Sequence, residues 1–212
     1  MTHKPVEILI ADDHFVVKSG LKLIINGYYA DYKFFFASNF KEIFENINEK
    51  TFDLLILDAS FPEGNTLSIV EKIISLKPEI TILMYTALEE HIFAPKFLSL
   101  GAKGFLSKMA DEDEIITAVT KVLNGDIYMS KTLKEKMLDS LINKTTINPF
   151  EKLSKREFEI MMLLVEGTAN LEISNKLDIK PSTISTYKNR IFEKLDISNI
   201  SELFTLFKLY YI

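Results

Sequence analysis

Short aliphatic runs in the first half of the chain end on polar side chains of the types that handle metals and phosphate. Ile8-Leu9-Ile10-Ala11 runs into Asp12-Asp13, and Leu54-Leu55-Ile56-Leu57 runs into Asp58. A run from Thr81 ends at Thr86, and Gly104-Phe105-Leu106 is followed closely by Lys108. Three carboxylates brought together repel one another unless a cation sits among them. Hard oxygen donors with room left for water and phosphate suit Mg2+. Thr86 and Lys108 would bring a hydroxyl and an ammonium to the same rim. Each residue also has an ordinary use: Asp12, Asp13 and Thr86 as caps, Asp58 as a turn starter, Lys108 as a surface lysine. The chemistry depends on one scaffold bringing all four ends together.

The periodicity supplies such a scaffold. Strand patterns at 7–11, 33–37, 54–58, 81–85 and 104–106 alternate with helical patterns at 15–26, 40–49, 66–75, 95–100 (part of a helix) and 111–124. Strands alternating with helices predict an α/β fold, a doubly wound five-stranded parallel sheet. In such sheets the crevice outside the carboxyl ends of the strands is where ligands bind. Pro95 removes a donor and clashes with the preceding turn, so the fourth helix is expected to begin near it or kink there.

From Gly125 onward no strand pattern follows. A connecting helix is expected at 132–142, with Leu133, Met137, Leu138 and Leu141 at helical spacing, and residues 143–149 read as a linker. Ser154 with Glu157 three residues on is a capping box opening a helix to about Glu166, and Gly167 stops it. Further helices are predicted at 171–177, at 181–195 and from Ser201 on. The last is apolar nearly all round, with Leu203, Phe204, Leu206, Phe207, Leu209, Tyr210 and Tyr211. It must be buried or shared with a partner, and is the natural dimer surface unless it covers its own domain's core. The division is therefore 1–125, 126–149 as connecting helix and linker, and a smaller all-α domain at 150–212.

Composition narrows the classes. The 212 residues include no cysteine, which excludes disulfides and thiolate metal sites and suits a reducing cytoplasm. No apolar run approaches the roughly 18 residues of a membrane span, and no signal peptide is expected. The net charge is -5, with Lys+Arg against Asp+Glu at 12 to 18 over 1–125 and 9 to 9 over 149–212. A neutral C-terminal part excludes strong non-specific attraction to nucleic acid, yet leaves room for a local basic stripe.

The acidic pair after the first strand, Leu57-Asp58, Thr86-Ala87 and the run Gly101-Ala102-Lys103-Gly104-Phe105-Leu106-Ser107-Lys108 resemble the receiver domain of bacterial two-component response regulators, over about residues 5–125. The resemblance implies that Asp58 accepts a phosphoryl group from a phosphohistidine of a sensor histidine kinase. It also implies that Asp13 and Asp58 bind Mg2+ directly, Asp12 helps through water, and the Ser60 carbonyl completes the protein ligands. Lys108 would neutralise the phosphoryl charge, while Thr86 and Phe105 would form the switch. The chain departs from the family at Phe61-Pro62-Glu63-Gly64-Asn65, where a Met usually precedes the proline and the glycine comes later, so the loop path there is open. Leu88, two residues past Thr86, cannot hydrogen-bond an attacking water, which predicts slow self-dephosphorylation. An aspartyl phosphatase of the haloacid-dehalogenase type needs a second Asp two residues after the nucleophile, and Ser60 stands there.

Residues 153–212 resemble the helix-turn-helix domain of the NarL/FixJ (LuxR-type) regulators. The resemblance rests on Leu153-Ser154-Lys155-Arg156-Glu157, Gly167, Asn170, Glu172-Ile173, Leu177, Ile179, Thr183-Ile184 and Lys194-Leu195. The run Ser185-Thr186-Tyr187-Lys188-Asn189-Arg190 is closer to the BvgA/EvgA branch than to the commoner pattern. At 100° per residue, Ile184, Ile191 and Leu195 share one face, and Ser182, Ser185, Thr186 and Asn189 the other. Asn189 can pair bidentately with adenine, and Lys188 and Arg190 would reach phosphates. The expected protein is a phosphorylation-controlled regulator that binds double-stranded DNA, as a homodimer when active. The alternative is a phosphorylation-independent DNA-binding regulator with the receiver as dimer scaffold.

Overall fold

Each of the five apolar runs is a strand in the computed structural model, which describes residues 5–143 and 148–211, with side chains at 5–138, 148–208, 210 and 211. Residues 144–147 of the expected linker, and the side chains of Leu141 and Leu209, lie outside the described residues. The chain divides into two compact units, 1–136 and 137–212.

In the first unit the order is β1 (Glu7–Ala11), α1 (Phe15–Tyr28), β2 (Lys33–Ala37), α2 (Phe40–Glu49), β3 (Leu54–Leu57), α3 (Thr66–Leu76), β4 (Thr81–Thr86), α4 (Glu90–Ser99), β5 (Gly104–Ser107) and α5 (Glu112–Leu123). The strands form one parallel sheet in the order β2-β1-β3-β4-β5. Strand β3 is central and buried at all four positions; a parallel strand covered on both faces is apolar throughout. The strand order reverses between β1 and β3, so their carboxyl ends lie side by side at the switch point.

Two local differences from expectation have identifiable causes. Helix α4 begins five residues before Pro95 and runs through it. The proline removes one amide from the ladder, and burial of Ile92, Phe93, Ala94 and Phe97 on both sides of it carries the helix past the break. After α5 the chain returns to the sheet: Tyr128 bridges Gly104 in parallel, with its amide 2.8 Å from Lys103 O and its carbonyl 3.2 Å from the Phe105 amide. Gly104 makes room for it, since a Cβ there would sit 3.2 Å from that of Tyr128 and 2.7 Å from Leu83 Cδ1.

Helix α6 (Lys131–Asn143) spans the division between the units. The second unit continues with a short 3-10 turn (Pro149–Lys152), α7 (Lys155–Val165), α8 (Asn170–Leu177), α9 (Pro181–Leu195) and α10 (Ile200–Tyr211). The 3-10 turn falls at the end of the expected linker: Asn148 caps it and seats Phe150 in the core against Phe207, Tyr210 and Tyr211. Leu203 and Leu206 of α10 are fully buried, so this face covers its own unit's core.

The capping box is present in full. The Ser154 amide is 2.7 Å from Glu157 Oε2, which also takes the Lys194 ammonium of α9 at 2.6 Å. This hydrogen-bonded pairing, with burial working against it, lowers the Glu157 carboxyl to about 2. A carboxyl held below its unfolded value stabilises the fold above that value and loses the contribution as pH falls toward the folded one. Urea unfolding followed by the amide NMR signals of α7 and α9 is therefore expected to show stability falling between about pH 4.5 and 2. Glu157→Gln keeps a side chain able to close the box but loses the ion pair. It is expected to cost about 1–2 kcal/mol at neutral pH and to flatten that acid dependence.

Candidate functional site

The four strand ends meet. Asp58, just past β3, is 2 % exposed, with its amide bonded to Ala11 O of β1. Its Oδ2 accepts from Lys108 Nζ at 2.8 Å and its Oδ1 from the Ser60 amide at 3.2 Å. The same ammonium lies 2.7 Å from Asp12 Oδ2, so Lys108 stands between the carboxylates that end β1 and β3. The Lys108 amide in turn bonds to the carbonyl of Thr86. Burial pushes the Asp58 carboxyl above its ordinary range, and the Lys108 ammonium and Thr86 hydroxyl pull it part of the way back. Burial also works against charge on Lys108, but the two carboxylates outweigh it and hold the ammonium above the usual lysine range.

Asp12 is the other buried acid, at 2 % exposure. Its Oδ1 accepts from the His14 amide at 2.8 Å, whereas its Oδ2 has no aligned hydrogen-bond donor: the Lys108 contact is close but poorly directed. The Lys108 ammonium is thus a single positive charge beside two buried carboxylates, and a cation near them would offset the remaining repulsion. Asp12, Asp13 and His14 place one ligand atom each within 4.8 Å of one another. The expected ligand set did not include His14, whose Nδ1 is 2.7 Å from Asp13 Oδ1. Its position directly after the acidic pair was the available clue. Ser60 contributes its amide to Asp58.

Thr86 is fully buried at the end of β4, and its Oγ1 accepts from the Leu88 amide at 3.4 Å. Phe105 is also fully buried, with its ring 6.2 Å from that of Phe97. The loop after Asp58 is built around its departures from pattern. Phe61 packs on Phe40 with centroids 5.1 Å apart, and Glu63 Oε2 accepts the Phe40 amide at the start of α2. Gly64 takes φ +152, a conformation that needs glycine. Asn65 caps α3, while Thr66 Oγ1 ties back to Ala59 O at 2.9 Å.

In the second unit α8 ends on Asp178 in the left-handed conformation, and Pro181 starts α9 two residues after Ile179. Ile184, Ile191 and Leu195 are buried on one face of α9, while Ser182, Ser185, Thr186, Asn189 and Arg190 are exposed on the other. The Thr186 and Ser185 hydroxyls turn back to Ser182 O at 3.0 Å and Pro181 O at 3.3 Å. Lys188 lies over its own helix, with Nζ 5.4 Å from the Phe192 ring centroid. Arg156 is a brace, pairing with Glu159 at 2.6 Å and donating to Leu177 O at the end of α8.

Two family descriptions match: "Response regulator receiver domain" over residues 8–120 and "Bacterial regulatory proteins, luxR family" over 151–207. The oxygen regulatory protein NreC of Staphylococcus carnosus (strain TM300) is 33% identical over 205 residues, 93% of this chain and 94% of the relative. NreC of Staphylococcus epidermidis (strain ATCC 12228 / FDA PCI 1200) is 33% identical over 207 residues, with the same shares covered. Among solved structures, RcsB of Salmonella enterica serovar Typhimurium bound to promoter P1flhDC has the same fold. Its TM-score is 0.73 at 21% identity, covering 97% of this chain and 98% of that one. Among the described residues no helix is long and apolar enough to cross a membrane.

Proposed function

Because the chain belongs to the DNA-binding two-component response regulators, which join a receiver to a LuxR-type domain, we propose that Asp58 is its phosphoacceptor and that the acyl phosphate controls dimerisation, DNA binding and transcription. The observation that carries this reading is the Lys108 ammonium held between the Asp12 and Asp58 carboxylates at the strand ends. In the reaction a carboxylate oxygen of Asp58 forms a bond to phosphorus as the P–N bond of a sensor kinase's phosphohistidine breaks. The imidazole leaves and takes a proton from solvent.

The Asp12 and Asp13 carboxylates, hard oxygen donors with ligand atoms within 4.8 Å of each other, fit Mg2+. Asp13, Asp58 and the Ser60 carbonyl would ligate it, with Asp12 acting through water. When bound it would supply positive charge to the phosphoryl oxygens. Lys108 stays protonated beside Asp58 and neutralises the charge carried by the acyl phosphate. The Thr86 hydroxyl turns to a phosphoryl oxygen, and Phe105, within the neighbouring strand β5, completes the switch. The whole reaction belongs in the cytoplasm.

In the DNA-binding part, Ser182, Ser185, Thr186 and Asn189 approach the major groove and Lys188 and Arg190 the phosphates. The Ser185 and Thr186 hydroxyls exchange their helix carbonyls for DNA, and Lys188 leaves Phe192. Because the run at 185–190 departs from the commoner pattern, its base preference is its own. A neutral domain with one short polar face binds weakly alone, so two copies on paired half-sites about one helical turn apart supply the affinity.

The test is to treat the chain with acetyl phosphate and Mg2+ and compare the treated and untreated protein for phosphoryl mass and for DNA affinity. Phosphoryl gain with tighter DNA binding is expected. Equal affinity in the two states would overturn the switch and favour the phosphorylation-independent regulator. A further outcome concerns lifetime. Leu88→Gln supplies a side chain able to hold an attacking water, and is expected to speed phosphoryl loss roughly tenfold, measured by intact mass after donor removal. Slower loss than wild type would count against the role given to Leu88.

A further inference from the structure

We propose that Lys18, on the inner face of α1, is a positioning residue for phosphoryl transfer, acting through the main chain of Asp12; this rests on the reading of the Asp58 site given above. Lys18 shares the buried stripe of α1 with Leu21 and Ile25 and is only 6 % exposed. Its ammonium donates to the Asp12 carbonyl at 2.6 Å and to Ser38 Oγ at 2.7 Å. Among the described residues it has no carboxylate in ion-pairing range.

An ammonium buried against neutral oxygens alone is costly, and an unbranched apolar chain such as Met would fill the volume of its stem without that cost. What only the ammonium adds is its two hydrogen bonds, and both end on the framework of the acidic turn. The Asp12 amide is already fixed to Ala37 O, the last residue of β2, at 3.1 Å. Lys18 takes the carbonyl of the same residue and ties it to Ser38, the residue after Ala37. The amide and carbonyl of Asp12 are thus both pinned to the end of β2. The carbonyl held by Lys18 belongs to the peptide joining Asp12 to Asp13, so it sets where the second acid leaves the strand. A positive charge behind the turn also offsets repulsion among Asp12, Asp13 and Asp58.

The geometry of a transfer site tolerates little displacement, since small misplacements are expensive in rate. Lys18 therefore contributes to both the metal and the acceptor without touching either.

The experiment uses the full chain with Lys18→Met, Lys18→Arg and Ser38→Ala. It reads the Mg2+ dissociation constant by calorimetry without phosphodonor, the rate of phosphorylation by acetyl phosphate by intact mass, and melting by circular dichroism. Lys18→Met is expected to weaken Mg2+ binding about tenfold and to slow phosphorylation at saturating Mg2+ about tenfold. Lys18→Arg keeps the charge and donors and should recover both to within about threefold. Ser38→Ala should move both in the same direction by less.

Wild-type Mg2+ binding and rate in Lys18→Met overturn the proposal whatever its melting temperature. If Lys18→Met does not fold, wild-type values in Ser38→Ala overturn it instead. A wild-type chain that takes up no phosphoryl group refutes the acceptor role of Asp58, while the Mg2+ titration still decides whether Lys18 holds the acidic turn.

Discussion

Asp58→Asn is expected to carry no phosphoryl group after incubation with acetyl phosphate and Mg2+, while melting no lower than the wild type. An amide is not a nucleophile for phosphorus, so the effect on mass is all or none. The side chain is buried, and Asn keeps one acceptor oxygen, enough for the Lys108 ammonium now on Oδ2, at the expense of the longer Ser60 amide bond to Oδ1. It also avoids burying a charge, which costs the fold more than burying a hydrogen-bonded amide. Loss of chemistry is thereby separated from loss of structure. The variant should bind DNA with the affinity of the untreated wild type and gain nothing from the donor. Conformations can be redistributed only by a ligand that favours one of them, and here that ligand is the acyl phosphate. A mass gain on Asp58→Asn equal to that of the wild type would place the acceptor elsewhere.

Asn189→Ala is expected to weaken binding to the chain's own DNA site by about 1–3 kcal/mol per half-site while leaving random DNA nearly unaffected. Asn189 lies on the exposed face of α9, opposite Ile184 and Ile191, which are fully buried. Truncating it removes base-edge hydrogen bonds without opening the core. Arg190→Ala, removing a phosphate contact, should instead lower affinity for all sequences alike and reduce the salt dependence by about one charge. Fluorescence anisotropy on specific and random duplexes across a salt series distinguishes the two. Equal loss on both duplexes for Asn189→Ala would reassign that residue to the backbone.

The sheet and the acidic crevice were legible because the physics is local and periodic. Fully covered strands are apolar end to end, as at 54–57, and a polar residue directly after such a run can only emerge at the sheet's edge. The capping box at Ser154 and Glu157 was equally plain, since its residues lie within one turn.

Features that depend on distant packing were not legible. The start of α4 was hidden because Pro95 dominates local propensity, whereas the burial that overrides it comes from four residues around it. The seat of Phe150 depends on α10, more than fifty residues away in sequence. Lys18 lay in view, at helical spacing before Leu21 and Ile25, but a lysine on a core stripe reads as a solvated stem until its partners just past the ends of β1 and β2 are known.

The bridge between Tyr128 and Gly104 has a bearing on association. An open sheet has two bare edges, each a template on which a foreign strand can grow. Here Tyr128 takes the Lys103 carbonyl and the Phe105 amide, so the start of the β5 border is covered by the chain's own backbone. At the other edge stands β2, which carries three consecutive phenylalanines and a leading lysine. An insertion just before Tyr128 would move it out of register with Gly104 and free the Lys103 carbonyl and the Phe105 amide.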